Sequence, residues 1–376
     1  MAAPRIRVGL MGASGSNPHA WANSTHLPYL LSGAGQKKYE LVAICNSSIA
    51  AAEAVVAAYK LPAKTKVYGS PAALATDPDV DFVVVSVNVA THYDLVKPAL
   101  EAGKMAYVEW PLARNIDEAE ELAALAEKKG VKTVVGLQGR VEPLVDTIRG
   151  IVESGRIGGV LSSTVVAAAS QMAPVETQGM AYFLDSKVGG SIVSIHFGHL
   201  VDLVQTSLGE ITSFQSLLAN QLKTITIVDG KTREVISAAA PKNTADHINL
   251  HGFLTSGVTF SFSLRGGPQF DPSEPALRWY IYGTKGEVEI TSSSVFLNMS
   301  NNIRVRIKDA DGKIQDVKVD DGGNVGPAAN VARLYEAFAK GDERLATFRG
   351  AVQRHQFLEE IYGGKLGEPV IFTSRV

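Results

Sequence analysis

The chain has 376 residues, 45% of them hydrophobic and 20% charged, with a formal net charge of -2 and a single cysteine, Cys45. That length and apolar content predict two folded domains and exclude a disordered chain. The near-neutral balance gives nucleic acid or an anionic membrane no electrostatic hold, one cysteine excludes an intramolecular disulfide, and no apolar run approaches the ~18 residues of a membrane span.

An apolar strand at residues 6–11 runs straight into glycines. It is too short for a signal peptide, so a soluble, cytoplasmic protein is expected. Helical periodicity follows at 25–31, a strand at 39–45, an Ala-rich helix at 49–59 and a short strand at 67–68. Residues 82–87 form an unbroken apolar run of the kind that parallel sheets bury. A helix at 93–102, a strand at 105–108, a helix at 116–129 closed by Gly130 and a strand at 131–136 complete the series. This alternation predicts an N-terminal α/β Rossmann domain over 1–140, an open parallel sheet with helices on both faces.

The pattern changes after Arg140. A helix at 141–154 precedes strands at 161–168, 211–217, 224–228, 247–254, 258–264, 278–282, 287–291 and 303–308. Asp229-Gly230, Ser256-Gly257, Lys285-Gly286 and Asp311-Gly312 are hairpin turns between several of them. A helical stretch at 192–208 interrupts the strands, and helices at 328–340 and 344–362 follow them. Residues 141–376 are therefore expected to form an α+β domain on a large, open, mostly antiparallel sheet, carrying substrate and oligomer contacts, with its C-terminal helices packing back.

The turn after the first strand reads Val8-Gly9-Leu10-Met11-Gly12-Ala13-Ser14-Gly15. Glycines permit a tight turn and close backbone approach to a pyrophosphate, which makes Gly12, Ser14 and Gly15 cofactor-binding candidates. The spacing departs from G-x-G-x-x-G, since Ser14 takes the second glycine place; a purely structural turn is the competing reading. The second strand ends in Cys45-Asn46-Ser47-Ser48, with no carboxylate to hold a ribose. Asn46 and Ser47 would not repel a 2′-phosphate, so NADP is favoured over NAD, although no arginine stands by to hold one.

Further landmarks are Asn88-Val89-Ala90-Thr91-His92, Val108-Glu109-Trp110-Pro111-Leu112, Gly189-Gly190-Ser191, His199-Leu200-Val201-Asp202 and Gly283-Thr284-Lys285-Gly286. In this order they resemble the glucose-fructose oxidoreductase/inositol dehydrogenase/MocA family. Trp21 with Thr25-His26 and Pro28, Leu137-Gln138-Gly139-Arg140, Phe197-Gly198-His199, Asp246-His247 and Gly266-Gly267 are similar to the branch of the fungal galactose-pathway repressor. The resemblance covers nearly the whole chain. It implies a nicotinamide dinucleotide held partly by Asn88, His92, Glu109 and Trp110, and a homodimer or tetramer built on the open sheet.

Family enzymes carry Glu-Lys-Pro where this chain has Glu109-Trp110-Pro111. The lysine can take the substrate's hydroxyl proton as hydride leaves; an indole cannot. The family's Asp-x-x-x-His motif reads Ile195…His199. His199, with Asp202 to orient it, is the remaining candidate proton carrier, and His196 lies three residues before it on the same helical pattern. A structural His199–Asp202 pair is the alternative. Tyr182 either lines the pocket or sits in the core. Trp110, Arg140 and His26 are candidate substrate contacts. No Cys/His cluster or His-Glu-x-x-His spacing occurs, so no metal is expected.

Two functions follow. One is an NAD(P)-dependent oxidoreductase moving a hydride between nicotinamide and a carbonyl or alcohol carbon of a small, sugar-like or secondary-metabolite substrate. The other is a non-catalytic, dinucleotide-binding regulator, nuclear as well as cytoplasmic, which acts on transcription through a protein partner and not through DNA.

Overall fold

Residues 4–299, 302–322, 326–363 and 368–372 are described by the computed structural model. Contacts divide the chain into two compact units, Met1–Val141 with Gly326–His355, and Glu142–Val325 with Gln356–Val376. Residues 326–355 thus belong with the first unit, whereas chain order alone assigned them to the second.

In the first unit, chain order runs β1 (Ile6–Met11), α1 (Leu27–Leu30), β2 (Tyr39–Cys45), α2 (Ile49–Ala58), β3 (Lys66–Tyr68), α3 (Pro71–Ala75), β4 (Phe82–Val85), α4 (His92–Glu101), β5 (Met105–Glu109), α5 (Ile116–Lys129) and β6 (Thr133–Gly136). Among the described residues these strands form a six-stranded sheet in the order β3-β2-β1-β4-β5-β6, and every pairing is parallel. This is the Rossmann order, with its topological switch point between β1 and β4. β4 is Phe-Val-Val-Val with all four residues buried, as a strand covered on both faces requires. α5 starts where the Asn115 side chain accepts a hydrogen bond from the Glu118 amide, and stops at Gly130, whose φ of 63° suits a residue without Cβ.

The second unit contains α6 (Pro143–Glu153), β7 (Val160–Ala168), β8 (Val175–Thr177), α7 (Gly198–Leu208), β9 (Ile211–Ala219), β10 (Thr224–Val228), β11 (Val235–Pro241), β12 (His247–Leu254), β13 (Thr259–Arg265), β14 (Leu277–Gly283), β15 (Gly286–Ser292), β16 (Arg304–Lys308) and β17 (Ile314–Val317). Then come α8 (Pro327–Lys340), in the first unit, α9 (Phe348–Tyr362), whose residues belong to both units, and β18 (Pro369–Phe372) in the second. Among the described residues a nine-stranded sheet has the order β17-β16-β15-β14-β7-β13-β12-β9-β18, and β8, β10 and β11 form a small separate one. The large sheet is antiparallel except where β7 lies parallel to β13. One face is packed, with Val165, Phe260, Phe262, Trp279 and Ile290 buried; the other presents Val166, Phe253 and Tyr282.

α8 supplies the core of the first unit. Tyr335 is fully buried, lying 5.1 Å from the Tyr39 ring and 5.7 Å from that of Tyr107, and Phe338 stacks on Phe82 at 4.6 Å. The helix expected at 25–31 is a π-helical turn, Ala22–His26, running into α1. The helix expected at 192–208 likewise begins with a π-helical turn, Ile192–Phe197, before α7. Wide turns of this kind recur at functional sites, and here each carries a candidate histidine.

Candidate functional site

A cavity of about 310 Å³ opens at the C-terminal ends of β1 and β2 and just beyond β4, lined by Met11, Gly12, Cys45, Asn46, Ser47, Gly69, Val87 and Thr91. Ligands of open parallel sheets bind at such switch points, and the volume suits part of a dinucleotide. Gly12 has a φ of 99°, and a Cβ placed there would lie 2.1 Å from the Ser86 carbonyl oxygen. A Cβ at Gly15 would lie 2.7 Å from the backbone of Ala54 in α2. Both glycines are therefore required to bring the turn against its neighbours.

The rest of that turn is locked by Asn23. Its Oδ1 accepts from the Ser14 amide at 2.9 Å, and its Nδ2 donates to the carbonyls of Ser14 and Asn17. The Ser14 hydroxyl accepts from the amides of Ser16 and Asn17. Ser14 is thus occupied in shaping the loop, and Asn23 is the loop-locking residue that sequence reasoning missed. Asn46 Nδ2 donates to Ala13 and Ala51 carbonyls, joining the β1 turn to the start of α2. Ser47 is exposed in the cavity wall, and Asn88 is exposed at the start of a short 3-10 turn, where its side chain accepts from the Ala90 amide. Burial pushes the Cys45 thiol up to about 11, so it stays protonated. Gly69 was also overlooked, although Gly69-Ser70-Pro71 is a turn followed by an N-cap and an N1 proline.

Several expected contacts are corrected. His26, expected in the pocket wall, is fully buried: Nε2–H donates to Glu109 Oε1 at 2.8 Å, and Nδ1 lies 2.9 Å from the Tyr335 hydroxyl. Glu109, expected at the cofactor, faces inward to this pair and accepts from Gln138 Nε2 at 2.9 Å. Burial pushes the Glu109 carboxyl up, but hydrogen bonding to His26 and Trp21 outweighs it and holds the group below its ordinary range. His92, expected near the ribose, turns both ring nitrogens to backbone carbonyls, Pro111 at 2.8 Å and Val87 at 3.1 Å, and burial holds its pKa down. Trp110 is buried against His355, with ring centroids 4.9 Å apart, and precedes a cis peptide bond to Pro111. Arg140 is half-buried at the end of the 3-10 turn after β6.

In the second unit, His196 and His199 meet around one ring, that of Phe296, at 4.5 and 5.8 Å. Phe183 lies 5.5 Å from His196 on another side, and Tyr182 packs edgewise on Phe183 at 4.6 Å. Burial, helped by neighbouring His199, brings His196 down to about 3, so its imidazole is neutral at ordinary pH. Its Nε2–H donates to Gln171 Oε1 at 2.9 Å. His199 is buried near the head of α7, 3.4 Å through Nδ1 from Asn298 Nδ2, and Asp202 is buried one turn later. Tyr182 is half-buried, and burial raises its hydroxyl to about 12. Asp246, by contrast, is structural: it accepts from the Gln221 and Leu222 amides, from Lys242 Nζ at 3.0 Å and from His247 Nδ1 at 2.7 Å. Among the described residues no cluster of side chains suits a metal ion, and no helix is long and apolar enough to cross a membrane.

Residues 6–137 match the oxidoreductase family with an NAD-binding Rossmann fold, GFO/IDH/MocA, and residues 143–292 match the Gal80p C-terminal domain. Dehydrogenase aclE of Aspergillus oryzae is 33% identical over 296 residues, 78% of this chain and 79% of that protein. The galactose/lactose metabolism regulatory protein GAL80 of Saccharomyces cerevisiae is 28% identical over 80% of this chain and 69% of its own length. The crystal structure of a Gal80p super-repressor mutant from the same yeast, Gal80(S2), superposes with a TM-score of 0.86 at 23% identity, covering 98% of each chain. With the parallel sheet, the cavity at its switch point and these matches together, the chain belongs to the GFO/IDH/MocA oxidoreductase family, with an NAD-binding Rossmann domain and a Gal80-like C-terminal domain.

Proposed function

We propose that the protein is an NAD(P)-dependent oxidoreductase that moves a hydride between nicotinamide and a carbonyl or alcohol carbon of a small sugar-like or secondary-metabolite substrate. The observation that carries this reading is the cavity at the β1/β4 switch point, walled by Gly12, Asn46 and Ser47. Gly12 and Gly15 would let the backbone approach a pyrophosphate, and Asn46 and Ser47 would hold the adenosine ribose. Neither carries a negative charge, so a 2′-phosphate is tolerated and NADP is preferred to NAD. Bound nicotinamide supplies the hydride chemistry. His199 handles the hydroxyl proton that the family's missing lysine would take, and Asp202 orients its ring. Tyr182, in the same unit as His199, contacts substrate. The open sheet face with Val166, Phe253 and Tyr282 is the self-association surface of a homodimer or tetramer.

The test is titration with NAD(H) and NADP(H), followed by nicotinamide fluorescence and Tm, then addition of carbonyl and alcohol substrates while reduced-ring absorbance is recorded. Cofactor binding with substrate-dependent absorbance change, lost in His199→Ala, supports the enzyme. Cofactor binding without turnover over a broad panel sinks it.

A second reading has its own support. The match of residues 143–292 to the Gal80p C-terminal domain, with Trp110 packed on His355 where a lysine is usual, favours a regulator that binds a protein partner when its dinucleotide is bound. A partner recovered only with cofactor present would select this reading over the first.

A further inference from the structure

His196 lies next to the proposed proton carrier but is built for another task. It is 2% exposed, and Phe183 and Phe296 flank it with centroids at 5.5 and 4.5 Å. Gln171 Oε1, which also accepts from the Ser170 hydroxyl, fixes the ring by taking the Nε2 proton. That leaves Nδ1 as a bare lone pair, and among the described residues it has no hydrogen-bond partner. A buried acceptor left in this state costs about 1–3 kcal/mol, a penalty that natural sites accept where a ligand supplies the donor.

The surroundings define that donor. Phe296 presents a half-buried ring, with Phe183 fully buried behind His196, and neither offers a polar partner to a string of sugar hydroxyls, each of which would lose water without a replacement. A flat ring gains offset or edge contacts with them. Tyr182 and Phe296 are half-buried, so the cluster reaches the surface of its unit. An imidazole that stays neutral to about pH 3 accepts a hydrogen bond but does not take the proton.

We infer that His196 Nδ1 accepts the hydrogen bond of a hydroxyl borne by an uncharged aromatic or planar unsaturated ring, and so selects ring alcohols and phenols over polyols. This rests on the oxidoreductase reading for its consequence in turnover, and on the Phe183–His196–Phe296 geometry alone for binding. The hydroxyl held by His196 keeps its proton and anchors the ring; the proton lost with the hydride comes from a second, reacting hydroxyl of the substrate and is left to His199.

The test uses full-length protein saturated with oxidised cofactor and three probes: phenol, anisole and myo-inositol. Calorimetry is expected to show phenol binding about tenfold tighter than anisole, the ratio that one neutral hydrogen bond supports, with myo-inositol weaker than both. His196→Asn, which keeps an acceptor near the Nδ1 position, retains the ratio; His196→Phe brings it close to one. A ratio unchanged in His196→Phe, or myo-inositol binding more tightly than phenol, overturns the inference. Should His196→Phe fail to fold, ¹⁵N-histidine NMR of the unaltered protein decides: the His196 Nδ1 resonance shifts with phenol and not with anisole, and an unmoved resonance sinks the idea. Absorbance assays run in parallel keep the two readings apart, since absent turnover with a preserved phenol preference rejects the oxidoreductase and leaves this binding site standing.

Discussion

The Nε2–H of His26 donates to Glu109 Oε1 across 2.8 Å, although 83 residues of chain separate the two and both side chains are withdrawn from solvent. Glu109 stands one residue before Trp110, so this pair supports the segment where the family places its lysine. Removing His26 leaves a buried carboxylate with fewer donors. His26→Ala is expected to cost about 3–5 kcal/mol in urea unfolding, and Glu109→Gln less than half of that, because the amide stays uncharged. Equal losses in the two variants would show that the carboxylate charge is unimportant there.

Gly12→Ala tests the phosphate turn. The new Cβ would sit 2.1 Å from the Ser86 carbonyl at a φ of 99°. A loss of about 2–3 kcal/mol is expected, together with at least tenfold weaker NADPH binding by fluorescence titration. A variant with normal Tm and normal affinity would refute the close approach.

His355 predicts the acid limb of stability. Its Nε2 is buried without a partner among the described residues, and burial lowers its pKa to about 4. In the unfolded chain it titrates near the ordinary ~6.5. Between these values the unfolded chain binds more protons, so stability rises with pH there. The His355 contribution is complete above pH ~6.5 and is lost as pH falls towards 4, by about 3 kcal/mol. His355→Phe, which keeps a ring against Trp110, is expected to flatten the Tm-versus-pH curve in that window while leaving pH 8 stability within about 1 kcal/mol. An unchanged slope would contradict this.

Lys242 Nζ is fully buried and donates to Asn220 Oδ1, the Thr244 carbonyl and Asp246 Oδ2. Lys242→Met strands the Asp246 charge and is expected to cost about 3–5 kcal/mol by denaturant melts, whereas Lys242→Met with Asp246→Leu should recover part of that loss. Burial pushes the Asp246 carboxyl up, but the Gln221 amide and His247 outweigh it, and the group falls to about 2. Its contribution is present above the ordinary carboxylate range and is lost as pH falls towards 2. Additive losses in the double variant would argue against coupling of the pair.

The Rossmann order was legible because its signals are local. β4 is a short unbroken apolar run, and α5 shows its asparagine cap, its acidic first turn, its basic last turn and its closing glycine. β11 was not legible: Val-Ile-Ser-Ala-Ala-Ala-Pro is exposed or half-exposed throughout, so it carries no alternation. The two π-helical turns were read as ordinary helix, since a single wide turn barely disturbs a 3.6-residue period. His26 was misplaced for a different reason. Its partners, Glu109 and Tyr335, are 83 and 309 residues away, and no local pattern distinguishes a histidine that meets them from one that faces a ligand. His196 was found, but its neutrality depends on Phe183 and Phe296, which only tertiary packing brings to it.

Because Tyr335 and Phe338 fill the space against Tyr39, Phe82 and Tyr107, the first unit lacks its keystone until nearly nine-tenths of the chain has left the ribosome. The nascent Rossmann sheet must wait, with its aromatic faces uncovered, through synthesis of the whole following unit. Nonsense or frameshift lesions before α8 are therefore expected to yield no stable cofactor-binding fragment, only a truncated chain with that aromatic core uncovered.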